Sequence, residues 1–373
     1  MKKILYILAV MIALVCVFTA CKNEKSPAIS ISEDGYWVID GERTNVKAKG
    51  EKGESAISEN PQGLAFYLKD DGTYAVEIGY AKYLSKIEIP ATYNGKAVTE
   101  IGCFGGDSGN TVLKEIKIPD SVTTIGTRAF NNCDALTSIT IPDSVTVIGE
   151  MAFGSCDNLT SVTIGNSITA IGVRAFYSCT NLVSVTIPDS VTTISEWAFY
   201  HCINLTNVTI PDSVTTIGGY AFYDCSNFTS ITIPNSVTTI GDFSFYGCTK
   251  LASVTIGDSV TNIGMKAFYN CDSLTNVTIP DAVTTIGSSA FYSCDSLTSV
   301  TIGDAVTSIG YDAFYKCENL TSVAFANSNG WWYANKADAT NGTPITAADL
   351  SDVSTAAQYL NSSYRMYYWF RTE

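Results

Sequence analysis

Nine cysteines fall one every 23 residues, at Cys133, Cys156, Cys179, Cys202, Cys225, Cys248, Cys271, Cys294 and Cys317. A thiol series of this kind offers three chemistries: disulfides, metal coordination or buried structural packing. In stacked units, neighbouring Cα atoms would lie about 5 Å apart, inside the disulfide range. The number is odd, however, and the side chains should point in parallel toward a core, where cysteine serves as a small hydrophobe. No C-x-x-C or Cys/His spacing is present to hold a zinc ion. Structural thiols are the expectation, with scattered disulfides and metal as alternatives. Cys103 lies outside the series.

The remaining candidates for chemistry are sparse. His201 is the only histidine and sits in the turn Tyr200-His201-Cys202. One histidine excludes multi-histidine zinc sites, and a Ser-His-Asp triad would have to use this turn residue. Gly-rich phosphate loops and paired-carboxylate motifs are absent. Asp143, Asp189, Asp212, Asp258, Asp281 and Asp304 mark one edge of the repeat. One carboxylate per unit is a thin ligand set for calcium. No catalytic residue, metal or cofactor is expected, and the chain is not read as an enzyme.

The unit behind this spacing is LTSITIPDSVTVIGEMAFGSCDN, beginning at Leu136. An Ala-Phe motif recurs in phase, with its phenylalanine at Phe130, Phe153, Phe176, Phe199, Phe222, Phe245, Phe268, Phe291 and Phe314. Leu136, Ile139 and Ile141 fall on one side of a strand, with Ser138 and Thr140 on the other. Pro142-Asp143-Ser144 interrupts it, Val145 to Ile148 supplies a second short strand, and Gly149 is expected to allow a tight bend into a helical turn at Ala-Phe. A single unit cannot bury its apolar side, so the coils must stack into one long core. Two rows then reach the surface. Thr140, Thr163, Thr186, Thr209, Thr232, Thr255, Thr278 and Thr301, alternating with Ser or Asn, line the first strand. Tyr177, Tyr200, Tyr223, Tyr246, Tyr269, Tyr292 and Tyr315 follow the phenylalanines. The threonines offer a hydrogen-bonding face to a macromolecule. The tyrosines either shield the core or form a ribbon of the residue type enriched at binding hot spots.

The pattern L-x-x-V-x-I-P-x-S-V-x-x-I-G-x-x-A-F-x-x-C is similar to the treponemal, BspA-like class of leucine-rich repeats, over roughly residues 84–326. The stretch from Ile87 to Lys96 resembles that family's usual first repeat. The resemblance implies a mainly β repeat solenoid, a right-handed curved superhelix of 23-residue coils with short helical turns, capped at both ends. It also implies a bacterial surface protein acting as an adhesin for extracellular-matrix proteins, host cells or other bacteria. The family has no catalytic motif to carry over. The other reading is a structural or receptor-accessory lipoprotein that organises other envelope proteins.

The flanks complete the organisation. Lys2-Lys3, the apolar run from Ile4 to Phe18 and Thr19-Ala20 before Cys21 read as a signal peptide over residues 1–20. The junction resembles a lipobox, which implies lipidation of Cys21. An uncleaved anchor is the alternative, because Ile4 to Ala20 approaches a short membrane span. Residues 21–60 read as a tether with a small β hairpin from Ile29 to Val46, and residues 61–83 as a capping hairpin around Asp71-Gly72. Residues 84–326 form the solenoid, with one divergent coil, nine regular coils and a closing strand. Residues 327–373 form an aromatic cap, with a helix expected from an N-cap at Ser354 to Leu360. The formal net charge of −14, without a basic run, excludes nucleic acid as a natural partner and favours a soluble monomer. Extracellular proteins or cell surfaces are the expected partners, and the membrane is reached through the lipid anchor only.

Overall fold

The computed structural model describes strand backbone at residues 29–31, 36–39 and 42–47, and the chain over residues 62–106 and 109–372. The signal segment, Cys21 and the Gly35 and Gly41 turns lie outside the described residues. The three N-terminal strands, Ile29–Ile31, Tyr36–Ile39 and Glu42–Lys47, pair antiparallel in sequence order, one strand more than a hairpin.

A 29-residue coil from Lys86 opens a β solenoid, and from Glu115 onward each 23-residue unit makes one further coil. Strands such as Ser138–Thr140 pair in parallel with Ser161–Thr163, each residue opposite the one 23 places on. Eleven strands of this kind run from Lys86–Glu88 to Ser322–Phe325. The two-residue strands Val147–Ile148, Ala170–Ile171 and their equivalents build a second parallel ladder. In the first strand the middle residue is buried and its neighbours exposed, as at Ser138-Ile139-Thr140. Between the ladders lie Leu136, Ile141, Val145, Ala152, Phe153 and Cys156 and their equivalents, at most a few per cent exposed. Burying each large apolar side chain contributes about 1.5–3 kcal/mol. The coil-to-coil repetition makes that core continuous.

The third side of the coil is not the helical turn that Ala-Phe suggests. The N–H groups of Arg128, Phe130 and Asn132 donate to Glu150, Ala152 and Gly154 of the next coil, at 2.8, 2.7 and 2.8 Å. The intervening N–H groups of Ala129, Asn131 and Cys133 turn back to the carbonyls three residues earlier. Arg128 and Asn132 sit in the left-handed region, at φ 56° and 57°, and their equivalents repeat this around the solenoid. One helical turn would leave its terminal N–H and C=O groups unpaired. Alternating the donors between the own coil and its neighbour pairs all six. Gly149 also serves another purpose than a bend. A Cβ there would come within 2.6 Å of Thr127 N in the preceding coil, so the glycine permits close stacking. In one coil Ser244 stands where the motif has Ala, fully buried.

Both ends are covered. Ala65–Leu68 and Tyr74–Glu77 form an antiparallel hairpin that joins the second ladder through Lys96–Ile101. Thr92–Tyr93 folds back on Lys96–Ile101 through Asn94 and Gly95, both with positive φ, a turn that Asn-Gly favours. At the other end Tyr368–Arg371 pairs antiparallel with Ser308–Ile309, and Trp331–Ala334 extends that sheet. Trp331 and Trp369 are each 1% exposed. Their indole N–H groups donate to the carbonyls of Asn327 and Tyr364, and both rings pack against Phe325 of the last coil. The helix expected from Ser354 starts earlier, spanning Val353–Gln358. Asp352 is its N-cap, because its carboxylate accepts from Thr355 N at 2.8 Å and is held down to about 2 by hydrogen bonds from Ser354 and Thr355.

Candidate binding surface

Strand geometry sets out the threonine row. Thr140, Thr163, Thr186, Thr209, Thr232, Thr255, Thr278 and Thr301 all fall on the exposed side of the first ladder. Their hydroxyls make no hydrogen bond to the protein among the described residues. Other threonine rows behave differently: Thr146, Thr192 and Thr261 donate to backbone carbonyls of the preceding coil. The first set keeps its hydroxyls free for a partner along the whole ladder.

The tyrosines form one stacked column, half-buried along its length. From Tyr177 to Tyr292, successive ring centroids lie 4.8, 4.7, 4.5, 4.6 and 4.6 Å apart, with interplanar angles between 2° and 15°. Tyr315 breaks the series edge-on to Tyr292 at 5.4 Å, beneath the Arg365 guanidinium. Burial, followed by the nearby Tyr246 and Tyr200 phenols, pushes Tyr223 up to about 12. Its phenol stays protonated and able to donate at neutral pH.

Beside this column stands a second one, which the repeat pattern does not announce. Trp197, Tyr220 and Phe243 occupy one position in three consecutive coils, stacked at 4.0 and 4.6 Å with 5° between planes. Each touches the tyrosine column, as in Trp197–Tyr200 at 5.0 Å. Arg174 lies over the outer face of Trp197 and Lys266 over that of Phe243, both at 5.4 Å. The shorter column is closed at each end by a cation, and the two columns together make a plaque of aromatic edges. The sequence signal was the run of aromatic residues two places before the Ala-Phe phenylalanine. These residues hold left-handed backbone, at φ 62°, 58° and 58°, as Arg128, Met151, Arg174 and Lys266 do at the same position in other coils. They add nothing to the core, which is complete without them.

The other candidates serve the framework. Eight thiols, from Cys156 to Cys317, donate to the carbonyl of the preceding coil's motif phenylalanine, Cys156 to Phe130 at 3.0 Å among them. Burial pushes Cys202 up to about 12 and Cys225 and Cys271 well above the usual thiol range. The nine cysteines of the series, Cys133 to Cys317, are free thiols. The edge carboxylates bind neighbouring backbone, with Asp143 accepting from Asn166 N and Asp281 from Asp304 N. No cluster of three metal-ligating groups occurs among the described residues. Ser178, His201 and Asp224 occupy one position in consecutive coils, and His201 Nδ1 lies 2.8 Å from Asp224 Oδ2. The composition is that of a hydrolytic triad, but the N–H groups of Ser178 and Cys179 are spent on Tyr200 and Phe176 carbonyls. No hydrogen bond joins Ser178 to His201.

Comparison with known proteins agrees with the repeat. The chain matches the BspA type leucine rich repeat region in six copies, over residues 108–229 and 215–332, more than half its length. Among solved structures it is similar to a leucine rich cell surface protein from Faecalibacterium prausnitzii, at 26% identity over 74% of this chain and 96% of that one, with a TM-score of 0.34. It is also similar to a leucine-rich repeat protein from Bacteroides ovatus, at 26% identity, 70% and 93% coverage and a TM-score of 0.38. The pneumococcal vaccine antigen PcpA gives 19% identity, 71% and 85% coverage and a TM-score of 0.40. No curated protein matches the chain.

Proposed function

We propose, from the premise that this chain belongs to the BspA-type leucine-rich repeat family, that it is a cell-surface binding protein. It acts as an adhesin, engaging extracellular-matrix proteins, host cells or other bacteria through the solenoid surface. The observation that carries this reading is the two-column aromatic plaque from Tyr177 to Tyr292, in which Trp197, Tyr220 and Phe243 stack on the surface where other coils carry Arg, Met, Lys, Ser or Asp. Tryptophan, tyrosine and arginine are the residue types that dominate binding energy at protein interfaces.

The plaque favours a protein partner over a sugar. A pyranose stacks on aromatic faces, but here every face between Trp197 and Phe243 is covered by the next ring or by a cation. What remains is ring edge and phenol hydroxyl, suited to the aromatic faces and carbonyl groups of a polypeptide. The free Thr140-to-Thr301 hydroxyls supply a second, polar contact row. We place the chain at the envelope through lipidation of Cys21. No helix among the described residues is long and apolar enough to cross a membrane.

The experiment is a binding screen of the secreted chain against immobilised matrix proteins and whole cells, repeated with Trp197→Ser and Phe243→Ser. Each replacement should weaken binding by about 2 kcal/mol, near thirtyfold, while circular dichroism stays unchanged. Folded variants that bind as the parent does would move the contact to the threonine row. A chain that binds no matrix protein or cell would favour the envelope-organising role. In the producing cell, a palmitate analogue should label the parent and leave Cys21→Ala unlabelled; label on the variant would overturn the anchor.

A further inference from the structure

Along Tyr177, Tyr200, Tyr223, Tyr246, Tyr269 and Tyr292, each phenol ring meets the next at a centroid distance of 4.5–4.8 Å. None of these rings is fully buried, so a small oxidant reaches them. Two phenol rings joined by a single carbon–carbon bond have their centroids about as far apart as these stacked ones. Forming the link therefore asks the two side chains to turn edge to edge and tilt toward each other, and leaves the coil spacing alone. The backbone on either side is fixed by ladder hydrogen bonds, with the N–H groups of Ser178, His201 and Asp224 donating to Tyr200, Tyr223 and Tyr246 at 2.7, 2.7 and 2.6 Å. The reacting partners are held together before any chemistry begins, as intramolecular reactions require.

We propose that the tyrosine column is an oxidative cross-linking site, in which hydrogen peroxide with a haem peroxidase couples neighbouring tyrosines into dityrosine and staples successive coils. Each of two adjacent phenols gives one electron to the oxidant and one proton to water, leaving a phenoxyl radical. The radicals join through ring carbons ortho to oxygen, and the two ortho hydrogens return to the oxygens as the rings regain aromaticity. One peroxide takes up the two electrons and two protons and leaves as two waters, so the protein loses two hydrogens per link. The linked residues are 23 apart, and each link closes one coil covalently. In a protein whose coils are held by packing and hydrogen bonds, with no covalent link between them, such a staple limits unfolding from either end. Tyr292 and Tyr315 are the least productive pair, because Tyr315 stands edge-on beneath Arg365.

The test treats the full chain, dilute enough to disfavour contact between molecules, with a haem peroxidase and hydrogen peroxide. The readouts are dityrosine fluorescence, intact mass, and peptide mapping of the linked residues. The expected result is a monomer lighter by two hydrogens per link, with links mapping to pairs such as Tyr223–Tyr246. Replacing Tyr200, Tyr220, Tyr246 and Tyr292 by Phe keeps every ring stacked but leaves no two neighbouring phenols in the column. That variant should lose the column's links. The C-terminal cluster of Tyr333, Tyr359, Tyr364 and Tyr367, with Tyr333 and Tyr364 at 4.3 Å, is a competing source. Tyr333→Phe with Tyr364→Phe should leave the column's links intact. Links confined to that cluster, links only between molecules, or fluorescence unchanged in the four-fold variant would each overturn the proposal.

Discussion

Ser244→Ala should make the protein more stable. The Ser244 hydroxyl is fully buried in the core and its oxygen has no hydrogen-bond partner. Its neighbours in the stack, Ala221 and Ala267, are equally buried and carry no polar atom. The surrounding geometry already suits alanine. Phe222 N donates to Ser244 O at 2.8 Å, as Phe199 N does to Ala221 O and Phe245 N to Ala267 O. The phenylalanine rings keep their spacing of 5.4 and 5.2 Å on either side. Removing an unsatisfied buried hydroxyl recovers its desolvation cost, about 1–3 kcal/mol. The gap left by one oxygen, on the order of 10 Å³, takes back about 0.2 kcal/mol at roughly 24 cal/mol per Å³. The net expectation is a gain of about 1–2 kcal/mol. Equilibrium unfolding in urea should show it as a higher midpoint at an unchanged slope. The converse changes, Ala221→Ser and Ala267→Ser, should lower the midpoint by a similar amount. A Ser244→Ala variant that is neutral or less stable would refute the reasoning, because the hydroxyl would then have a partner in solution.

Three further outcomes follow from the same geometry. Asn270 holds φ 60° where the preceding coil has Gly247 at φ 71°, so Asn270→Gly should gain about 0.5–1 kcal/mol in urea unfolding; a loss would mean that the asparagine side chain supports its turn. Asp134 and Asp272 are raised above the ordinary aspartate range, first by burial and then by the facing Asp157 and Asp295. A raised folded-state pKa means the contribution is present at low pH and lost as pH rises through that value, so Asp272→Asn should stabilise at neutral pH and lose its advantage near pH 4; an advantage independent of pH would rule this out. The core thiols should resist a thiol reagent in the native protein and react fully after denaturation, and several disulfides in the intact mass of fresh protein would contradict their role as donors to phenylalanine carbonyls.

What could be read from the sequence was whatever repeats. The 23-residue phase placed Leu136, Ile139, Phe153 and Cys156 and their equivalents in a shared core, because only stacking could bury them. Exposure of Thr140 and its series followed from strand alternation alone. The turn after Gly149 was misread as helical, because its hydrogen bonds run to the next coil and no local pattern records that. The helix start was misplaced at Ser354 because Asp352, two residues earlier, makes the better cap. The second aromatic column was invisible to a periodic reading, since it spans only Trp197, Tyr220 and Phe243. Those residues belong to a segment where the repeat departs from its own rule several times. Ser195 replaces the motif glycine, Phe228 the leucine, Ser244 the alanine, and His201 is the lone histidine. The buried Ser244 hydroxyl, which has no partner, costs stability within this segment, whereas the left-handed backbone under the aromatics is common to every regular coil. At position 244 the alanine that the repeat carries in the adjoining coils would be the cheaper residue. Departures from the repeat clustered where the surface is most aromatic are the pattern of a site kept for function rather than for folding. The periodic residues make the solenoid, and the departures from the period mark where a partner would be recognised.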